Sequence, residues 1–473
     1  MPKRNLAWIL VIVLIALLMW QLPQTIAGRD TLFQAFGPLV DVRAQIHKRY
    51  VERIDDEKLV DDAVRAGIQS MIAQLHDPYA VYLDAREYAR FQRRTEGLFG
   101  GIGVDVWATG QGLEVLSREP RSPAHRAGIQ PGDIITHIDG RPTLDVPLEE
   151  IVNNLLNGPP ESEVDITVRT PGQLPRDLKL RRATIELDPV RGFSRAPGGG
   201  WRFMLDAEAR IGYVRLTKFT PAAVPRLDAA VERLGREGMQ ALVLDLRQNT
   251  GGLLDAARDV ADKFLSDGLI FSTKGLKSDT REWFATREGD YPNLPLVVLT
   301  DGATASAAEI VAGALRDTRR ATVIGERSYG KGCVQEVVRL DHGGGALKLT
   351  TAYYYLPGGE CIHRTAESEK TQSWGVTPNI AVPLTDDQRR RWFEAWREIG
   401  REPTTTAPTS EPTTQSAEEV EDADRRAAAS QLLAVDPPLV KAVEILRHIV
   451  APERGALSNA DSPVAASRPN AED

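Results

Sequence analysis

The sequence has few of the residues on which several protein classes depend. Among its 473 residues there are only two cysteines, Cys333 and Cys361, so no framework of disulfides holds the fold together. The formal charge is −8 and no basic stripe is visible, which argues against a nucleic-acid partner. The chain must therefore fold around ordinary apolar cores, and at this length two to four domains are expected.

Long uncharged runs are also scarce, and the clear one is at the N-terminus. Leu6–Leu22 carries no charge and follows Lys3 and Arg4, which indicates a signal-peptide core or a short membrane span. Ala27 could precede a cleavage site. Because the apolar run is long for a cleaved signal, we favour an uncleaved anchor. In either case the rest of the chain is exported to the periplasmic side of the inner membrane, since the basic flank stays cytoplasmic.

One stretch, Thr300–Gln335, carries residues whose arrangement suggests nucleophilic catalysis. The apolar run Leu296–Leu299 predicts a buried strand before it, and helical spacing of small and apolar residues predicts a helix from about Ala305. Ser306 therefore lies where a strand turns into a helix, with its hydroxyl exposed and the N–H groups of the first helical turn unpaired. Those groups and the helix dipole can stabilise an oxyanion.

A lysine between two glycines follows the next predicted strand, Ala321–Gly325. In an extended segment Lys331, Cys333 and Gln335 point to one face. A serine, a lysine that removes its proton and a polar group that holds the lysine form a nucleophile, a base and an orienter. A lysine base must be uncharged, which burial favours. Taken singly, Ser306 could be a plain helix cap and Lys331 a surface lysine.

Other catalytic mechanisms find little support in the sequence. No GxSxG motif surrounds Ser306, and neither His342 nor His363 lies in a recognisable triad context. No HExxH motif is present, so no metal site is predicted, and no cofactor is expected. Glu309, one turn after Ser306, is assigned a structural role first.

A second motif, DLRQNTGG, follows the apolar run Ala241–Leu246, which predicts another buried strand. Glycines at the end of a strand permit positive φ and expose a backbone N–H. A tight strand-to-helix turn without a ligand is the plainer alternative. Because strands and helices alternate here, we expect a mixed sheet covered by helices, with the site at the carboxyl ends of the strands.

The region 96–187 looks like a PDZ domain. The glycine-rich segment Gly97–Val104 lets successive N–H groups converge on an anion, and the strand after it offers an edge for an added peptide strand. Ser122–Ile135 strengthens the likeness, and Ile151–Leu156 would be the groove helix. A β-domain without a ligand is the alternative. The residues selected for contact with a terminal carboxylate are Gly101, Ile102 and Gly103.

The stretches ATASAAEI, GERSYGKGCVQ and DLRQNTGG resemble the signature of the C-terminal processing peptidases, also called tail-specific proteases. The resemblance extends from about Tyr50 to about Pro383. It implies a serine endopeptidase that recognises protein C-termini. It also implies that Ser306 is the nucleophile, Lys331 the general base and Gln335 the residue that positions the lysine. By the same resemblance, the N–H groups of Gly251 and Ala307 form the oxyanion hole.

The implied fold is multidomain α+β, with an α/β core that resembles the crotonase-like fold. The predicted parts are a signal or anchor (1–27), a helical region often used in dimerisation (28–95), a PDZ domain (96–187), a Ser/Lys peptidase domain (188–400), a flexible linker (401–426) and a C-terminal helical segment with a disordered tail (427–473). Protein or peptide substrates are the expected partners, besides a membrane at the N-terminus, a homodimer and an adaptor protein.

Two questions stay open at this stage. Cys333 and Cys361 depart from the family pattern and, in an exported chain, could form a disulfide, but the sequence does not give their separation. The chain could also be a catalytically silent scaffold that binds protein tails, or a crotonase-like enzyme of acyl chemistry. The three candidate catalytic residues argue against the first alternative. The PDZ region and the exported N-terminus argue against the second.

Overall fold

The computed structural model describes residues 36–119, 121–144, 146, 151–186, 188–196, 200–277, 279–286, 290–341, 343–401 and 414–458. The chain divides into two compact units, one up to Asp77 and one from Pro78 onward. The predicted anchor, residues 1–27, lies outside the described ranges. Within those ranges no helix is both long and apolar enough to cross a membrane.

The first unit consists of two helices in its described part, α1 (36–49) and α2 (Asp56–Ala73). The Asp55 side chain caps α2 by accepting a hydrogen bond from the Lys58 N–H at 3.2 Å. Arg43 and His47 of α1 bond to Asp56, and these bonds keep the pKa of the Asp56 carboxyl well below its usual range. This part of the chain is helical as predicted, but α2 buries none of its residues within the described structure.

The second unit begins with β1 (Val81–Leu83) and α3 (Ala85–Thr95), followed by the PDZ-like part. Its elements are β2 (Leu98–Gly101), β3 (Val104–Thr109), β4 (Gly112–Arg118), α4 (Pro123–Arg126), β5 (Ile134–Ile138), β6 (Arg141–Pro142), the π-type turn α5 (Ile151–Leu156), β7 (Glu163–Arg169), β8 (Arg176–Arg181) and β9 (Ala183–Glu186). Strands β3, β4, β5, β7 and β8 form an antiparallel sheet in that order, and β2 pairs with β9.

The rest of the unit is an α/β region. Its elements are β10 (Val190–Arg191), β11 (Ser194–Arg195), β12 (Trp201–Arg202), β13 (Met204–Asp206), β14 (Ile211–Leu216), α6 (Ala223–Arg236), β15 (Ala241–Asp245), α7 (Leu254–Asp262), β16 (Leu269–Lys274), β17 (Arg281–Phe284), β18 (Leu296–Thr300), α8 (Ala307–Asp317), β19 (Thr322–Gly325), β20 (Cys333–Arg339), β21 (Ala346–Tyr355), α9 (Ala366–Lys370), β22 (Ile380–Ala381), α10 (Asp386–Gly400), α11 (Thr414–Leu433) and α12 (Pro437–Ser458).

The central sheet has the order β10-β14-β15-β18-β19-β22, with β13 also on β14. From β14 to β22 neighbouring strands are parallel, so their carboxyl ends lie at one edge of the sheet. Strands β15 and β18 are buried along their whole length because helices cover both faces. Helices α6, α7 and α8 pack on one face, and α10, α11 and α12 pack on the other.

A second sheet of the same region has the order β1-β21-β16-β17, and β20 pairs with β21. The long strand β21 therefore has β20 along one side. This pairing places the segment that follows β19 over the carboxyl edge of the central sheet, where the predicted site residues lie.

The structure corrects one predicted boundary. Helix α11 begins at Thr414, inside the predicted flexible linker 401–426. Its first half is rich in Glu and Ala and lacks an apolar stripe, so hydrophobic periodicity gave no helix signal there, although Ala and Glu favour helix. Together with α12 it forms the outer layer of the central sheet.

Candidate active site

Ser306 occupies the first position before α8, at the carboxyl edge of the central sheet. Its backbone has φ 59° and ψ −121°, a conformation that residues other than glycine rarely adopt. Such a conformation costs roughly 1–3 kcal/mol and persists only where the surroundings fix it. The Asp301 carboxylate fixes the preceding turn by accepting hydrogen bonds from the N–H groups of Ala303 and Thr304, both at 3.0 Å. The half-buried Ser306 side chain is thereby held at the helix start.

Glu309 joins the serine to the loop that carries the lysine. Its fully buried carboxylate accepts hydrogen bonds from the N–H groups of Ser306, Gly330 and Lys331 at 2.7, 2.7 and 2.8 Å, and from Ser328 Oγ at 2.5 Å. Burial raises the pKa of Glu309 to about 7, although these hydrogen bonds pull it downward. One carboxylate thus fixes the spacing of the Ser306 and Lys331 backbones.

Gly251 lies directly against the backbone of the serine. It has φ 98°, and a Cβ at this position would come within 2.7 Å of Ser306 Cβ and 3.0 Å of the Ala307 nitrogen. Ala307 opens α8, so the helix itself offers no acceptor for its N–H. The structure therefore brings the two predicted oxyanion residues together. The Gly251 N–H, however, donates to Asn249 Oδ1 at 2.9 Å.

The loop that carries Gly251 is tied to the turn before Ser306. The Ala305 N–H donates to the Asn249 carbonyl at 2.9 Å, and Thr304 Oγ1 donates to the Leu246 carbonyl at the same distance. The Gln248 N–H also donates to Asp301 at 3.1 Å. Because every bond joins the same two loops, we expect them to keep one relative geometry.

Lys331 lies in the loop before β20, which begins only at Cys333. Its Nζ is 5.2 Å from the centroid of the Tyr79 ring, close enough for a cation–π contact. In the described structure no hydrogen bond joins Lys331 Nζ to Ser306 Oγ. Gln335 does not bond to Lys331 either. Its Nε2 donates to the Tyr79 carbonyl at 2.9 Å, so Gln335 reaches the lysine only through Tyr79.

Tyr354 is a residue of the site that the sequence did not reveal. Its ring is buried in the main core, as a tyrosine of a strand often is. Its hydroxyl donates to the Lys331 carbonyl. Burial raises the pKa of Tyr354 well above its usual range, whereas the neighbouring Ser306 side chain lowers it. Tyr354 therefore holds the backbone of the lysine loop beside Ser306. The strand pattern marks this residue as buried but says nothing about its hydroxyl.

Both cysteines are free thiols, so the disulfide considered for Cys333 and Cys361 is not formed. Cys333 lies opposite Tyr353 in the pairing of β20 with β21, and Cys361 forms an isolated bridge with Tyr355. The two cysteines therefore lie opposite different residues of β21 and not opposite each other.

The predicted carboxylate loop lies beside the edge strand of the PDZ-like sheet. Gly101 ends β2, where it pairs with Ala183, and Gly103 has φ 77°. The Ala124 N–H donates to the Ile102 carbonyl at 2.9 Å, and this hydrogen bond joins the loop to α4. Of the three selected residues, Ile102 and Gly103 line the groove beside β3, and Gly101 precedes them as the last residue of β2.

Sequence comparisons match three family profiles to separate parts of the chain. The profile described as Peptidase family S41 matches residues 210–382 and contains Ser306 and Lys331. The PDZ domain profile matches residues 114–170. The profile described as Activating protease CtpB N-terminal domain matches residues 29–87.

Individual relatives span most of the chain. The carboxy-terminal-processing protease of Bartonella bacilliformis is 35% identical over 364 residues, which are 76% of this chain and 77% of that protein. The carboxy-terminal processing protease CtpA of Bacillus subtilis is 29% identical over 402 residues, 83% of this chain and 80% of that protein. A solved photosystem II D1 C-terminal processing protease is 28% identical, with a TM-score of 0.42, and the match covers 73% of this chain and 92% of that one.

Proposed function

The chain belongs to the carboxy-terminal processing proteases of peptidase family S41, and we propose that it cleaves peptide bonds with Ser306 as nucleophile and Lys331 as general base. The observation that carries this proposal is the placement of Ser306. A strained serine begins a helix, a glycine lies against its backbone, and one buried carboxylate ties it to the lysine loop. A helix cap alone would need none of these features.

In the proposed reaction, uncharged Lys331 Nζ takes the proton of Ser306 Oγ as this oxygen attacks the substrate carbonyl. The developing oxyanion accepts hydrogen bonds from the N–H groups of Ala307 and Gly251. When the intermediate collapses, the ammonium of Lys331 gives its proton to the leaving amine. Water then attacks the acyl-enzyme while Lys331 Nζ accepts a proton from it. As the bond between the acyl carbon and Ser306 Oγ breaks, the Lys331 ammonium returns this proton to Oγ, and the acid product leaves.

In this proposal the observed arrangement is a resting one, and two contacts must change before the reaction. Lys331 Nζ has to leave the Tyr79 ring, and the Gly251 N–H has to leave Asn249 Oδ1. Substrate binding that favours the rearranged state would drive both. Gln335 would take part by holding the Tyr79 backbone, and so setting where the ring meets the lysine.

The substrate in this proposal is a protein whose C-terminus binds the PDZ groove. The terminal carboxylate would meet the N–H groups of the loop Gly101–Gly103, and the peptide would extend beside β3. The chain would act as an exported protease on the periplasmic side, and we keep membrane anchoring by residues 1–27 as a prediction. The crotonase-like character of the core and an adaptor protein also stay predictions.

A homodimer through the first unit is consistent with its surface. Large apolar side chains are exposed there in a number unusual for a small helical unit that stands alone. They are Phe36, Leu39, Val40, Val42, Tyr50, Val51, Val60, Val64, Met71 and Leu75.

The test is hydrolysis of an unfolded protein by the purified chain and by single variants. We expect Ser306→Ala and Lys331→Ala to lower kcat by more than about a thousandfold, since each removes a member of the reacting pair. Lys331→Arg should do the same, because guanidinium stays protonated. Lys370→Ala, at an exposed lysine of α9, is the control and should keep full activity. Retained turnover in Lys331→Ala would contradict the proposed base.

A further inference from the structure

The groove of the PDZ-like part is not built from that part alone. A cavity of about 320 Å³ lies beside β3, which is the edge strand of its sheet in the described structure. Its apolar wall comes from the PDZ-like part, with Leu98, Phe99, Ile102, Val104, Val106 and Leu156. Two cations complete the lining, Arg94 from α3 and Lys218 from the segment between β14 and α6 of the peptidase region.

Lys218 lacks a negative partner in the part of the chain that the structure describes. Its Nζ donates to the Arg94 carbonyl at 3.2 Å, and no ion pair with a carboxylate of the described residues is present. Partial burial and the charge of Arg94 both lower the pKa of Lys218. The one acidic side chain in the lining, Asp105, lies 4.0 Å from Arg191. A partly desolvated cation beside an apolar groove is complementary to an anion that arrives with an apolar ligand.

We propose that Lys218 binds the terminal carboxylate of the substrate, and that recognition of a free C-terminus is therefore shared between the PDZ-like part and the peptidase region. The ligand class is a peptide with apolar last residues and an ionised α-carboxylate. The loop N–H groups of Gly101–Gly103 and the Lys218 ammonium act on the same group, one by hydrogen bonding and the other by charge. This inference rests on the proposed function, because it names how that substrate is recognised.

The position of Lys218 in the chain also connects the groove to the loop that carries Gly251. The next residue, Phe219, donates its N–H to the Gly251 carbonyl at 3.1 Å, and its own carbonyl accepts the Leu253 N–H at 2.8 Å. A Cβ on Gly252 would come within 2.1 Å of the Phe219 oxygen, so the two segments are in close backbone contact. The residue that would hold the carboxylate, Lys218, is therefore adjacent in sequence to Phe219, whose backbone is bonded to Gly251.

Peptide binding tests the proposal without any cleavage, in the Ser306→Ala chain. The probe is a fluorescein-labelled decapeptide with three apolar residues at its end, made with a free carboxylate and with a C-terminal amide, and the readout is fluorescence anisotropy. We expect the free acid to bind more tightly than the amide. Lys218→Gln should weaken binding of the acid about tenfold, the size of one charge-assisted hydrogen bond, and leave the amide unchanged. Lys218→Arg should bind the acid like the parent.

Lys179→Gln is the matched control, because this lysine lies on β8 at the opposite edge of the same sheet and pairs with Glu163 at 3.0 Å. If Lys218→Gln does not fold, Lys218→Met keeps the aliphatic stem and gives the same comparison. The inference is overturned if the variant still prefers the acid as strongly as the parent, or if neither peptide binds the parent chain. Hydrolysis by the chain with Ser306 intact reports separately on the proposed function, so either can fail while the other stands.

Discussion

Glu309 sets the conditions under which the site is stable. Its carboxylate is fully buried, and its donors among the described residues are three backbone N–H groups and one hydroxyl, with no ion pair to a cation in that part of the chain. Burial is the larger influence and raises the pKa of Glu309 from 4.5 to about 7. The folded chain therefore holds a proton at Glu309 over a pH range in which the unfolded chain has released it.

The raised pKa determines the direction in which the free energy of unfolding changes with pH. Because the pKa is higher in the folded state, this group stabilises the fold fully below pH 4.5, and the contribution is lost as the pH rises to about 7. The loss amounts to about 3 kcal/mol of unfolding free energy. Denaturant unfolding of the parent chain and of Glu309→Gln, measured from pH 4 to pH 8, should show this decline in the parent alone. The same pH dependence in both proteins would contradict it.

At the scale of single residues, the sequence predicted the proposed nucleophile and base but not the residues that contact them. Ser306 and Lys331 follow from a strand-to-helix turn and a glycine-flanked lysine. Tyr354 and Tyr79 contact them only because β21 and the segment before β1 reach the same edge, a long-range pairing that local patterns do not encode. The role of Gln335 changed for the same reason, since its nearest acceptor is the Tyr79 carbonyl.

The loop that carries Gly251 is held in place by an element that is distant in sequence. Arg247, at the start of that loop, lies between two buried carboxylates, Asp245 of β15 and Asp436 before α12. The guanidinium bonds to both oxygens of Asp436 at 2.8 Å. Asp436 also accepts the Trp392 indole N–H at 2.9 Å and caps α12 through the Leu439 N–H at 3.0 Å. Helices α10 and α12 are therefore tied to the loop that carries Gly251.

Asp436→Asn should break this connection. The amide retains the shape but loses the charge, and its NH₂ group faces donors on either side, so buried polar groups are left unpaired. We expect a loss of about 3 kcal/mol of unfolding free energy, as for a buried ion pair that loses one partner. Peptidase activity should fall together with stability, because Arg247 begins the loop that carries Gly251.

The control for this variant is Asp422→Asn on α11, where the carboxylate forms half-exposed pairs with Arg425 and Arg426. It should change stability by less than about 0.5 kcal/mol. Equal stability of Asp436→Asn and the parent in urea unfolding would show that the buried cluster does not fix α12.

Elements with a clear apolar pattern, whether a continuous run or a helical period, were predictable from the sequence, and those without such a pattern were not. The apolar runs that became β15 and β18 are fully buried strands, as expected, because residues hidden on both faces leave a continuous apolar segment. The beginning of helix α11 was missed, although helix was predicted from Ala427 onward, because its apolar contacts come late. Ala429 and Leu432 are buried near its end, while the preceding residues are mostly charged or small.

Across the whole molecule, the C-terminal helices act as the outer layer of the peptidase region. The face of the central sheet opposite α6–α8 presents Tyr213, Val243, Val297 and Leu299, all buried by the layer above. The sequence predicts a C-terminal helical segment but does not identify the surface on which it packs. The structure places it on the central sheet of its own chain.

A chain that stops after Arg401 should therefore fail to fold stably. Burying one large apolar side chain contributes about 1.5–3 kcal/mol, and five such residues, besides two alanines, are removed from the sheet with α11 and α12. The removed side chains are Ala429, Leu432, Leu439, Ala442, Val443, Leu446 and Val450. Their sum is comparable to the 5–15 kcal/mol by which a typical domain is stable.

We expect the truncated chain to bind a hydrophobic dye and to lose its cooperative thermal transition, whereas a chain that stops after Ser458 should keep the Tm of the parent. A sharp transition at the parent's Tm in the shorter chain would mean that the sheet is stable without its outer layer.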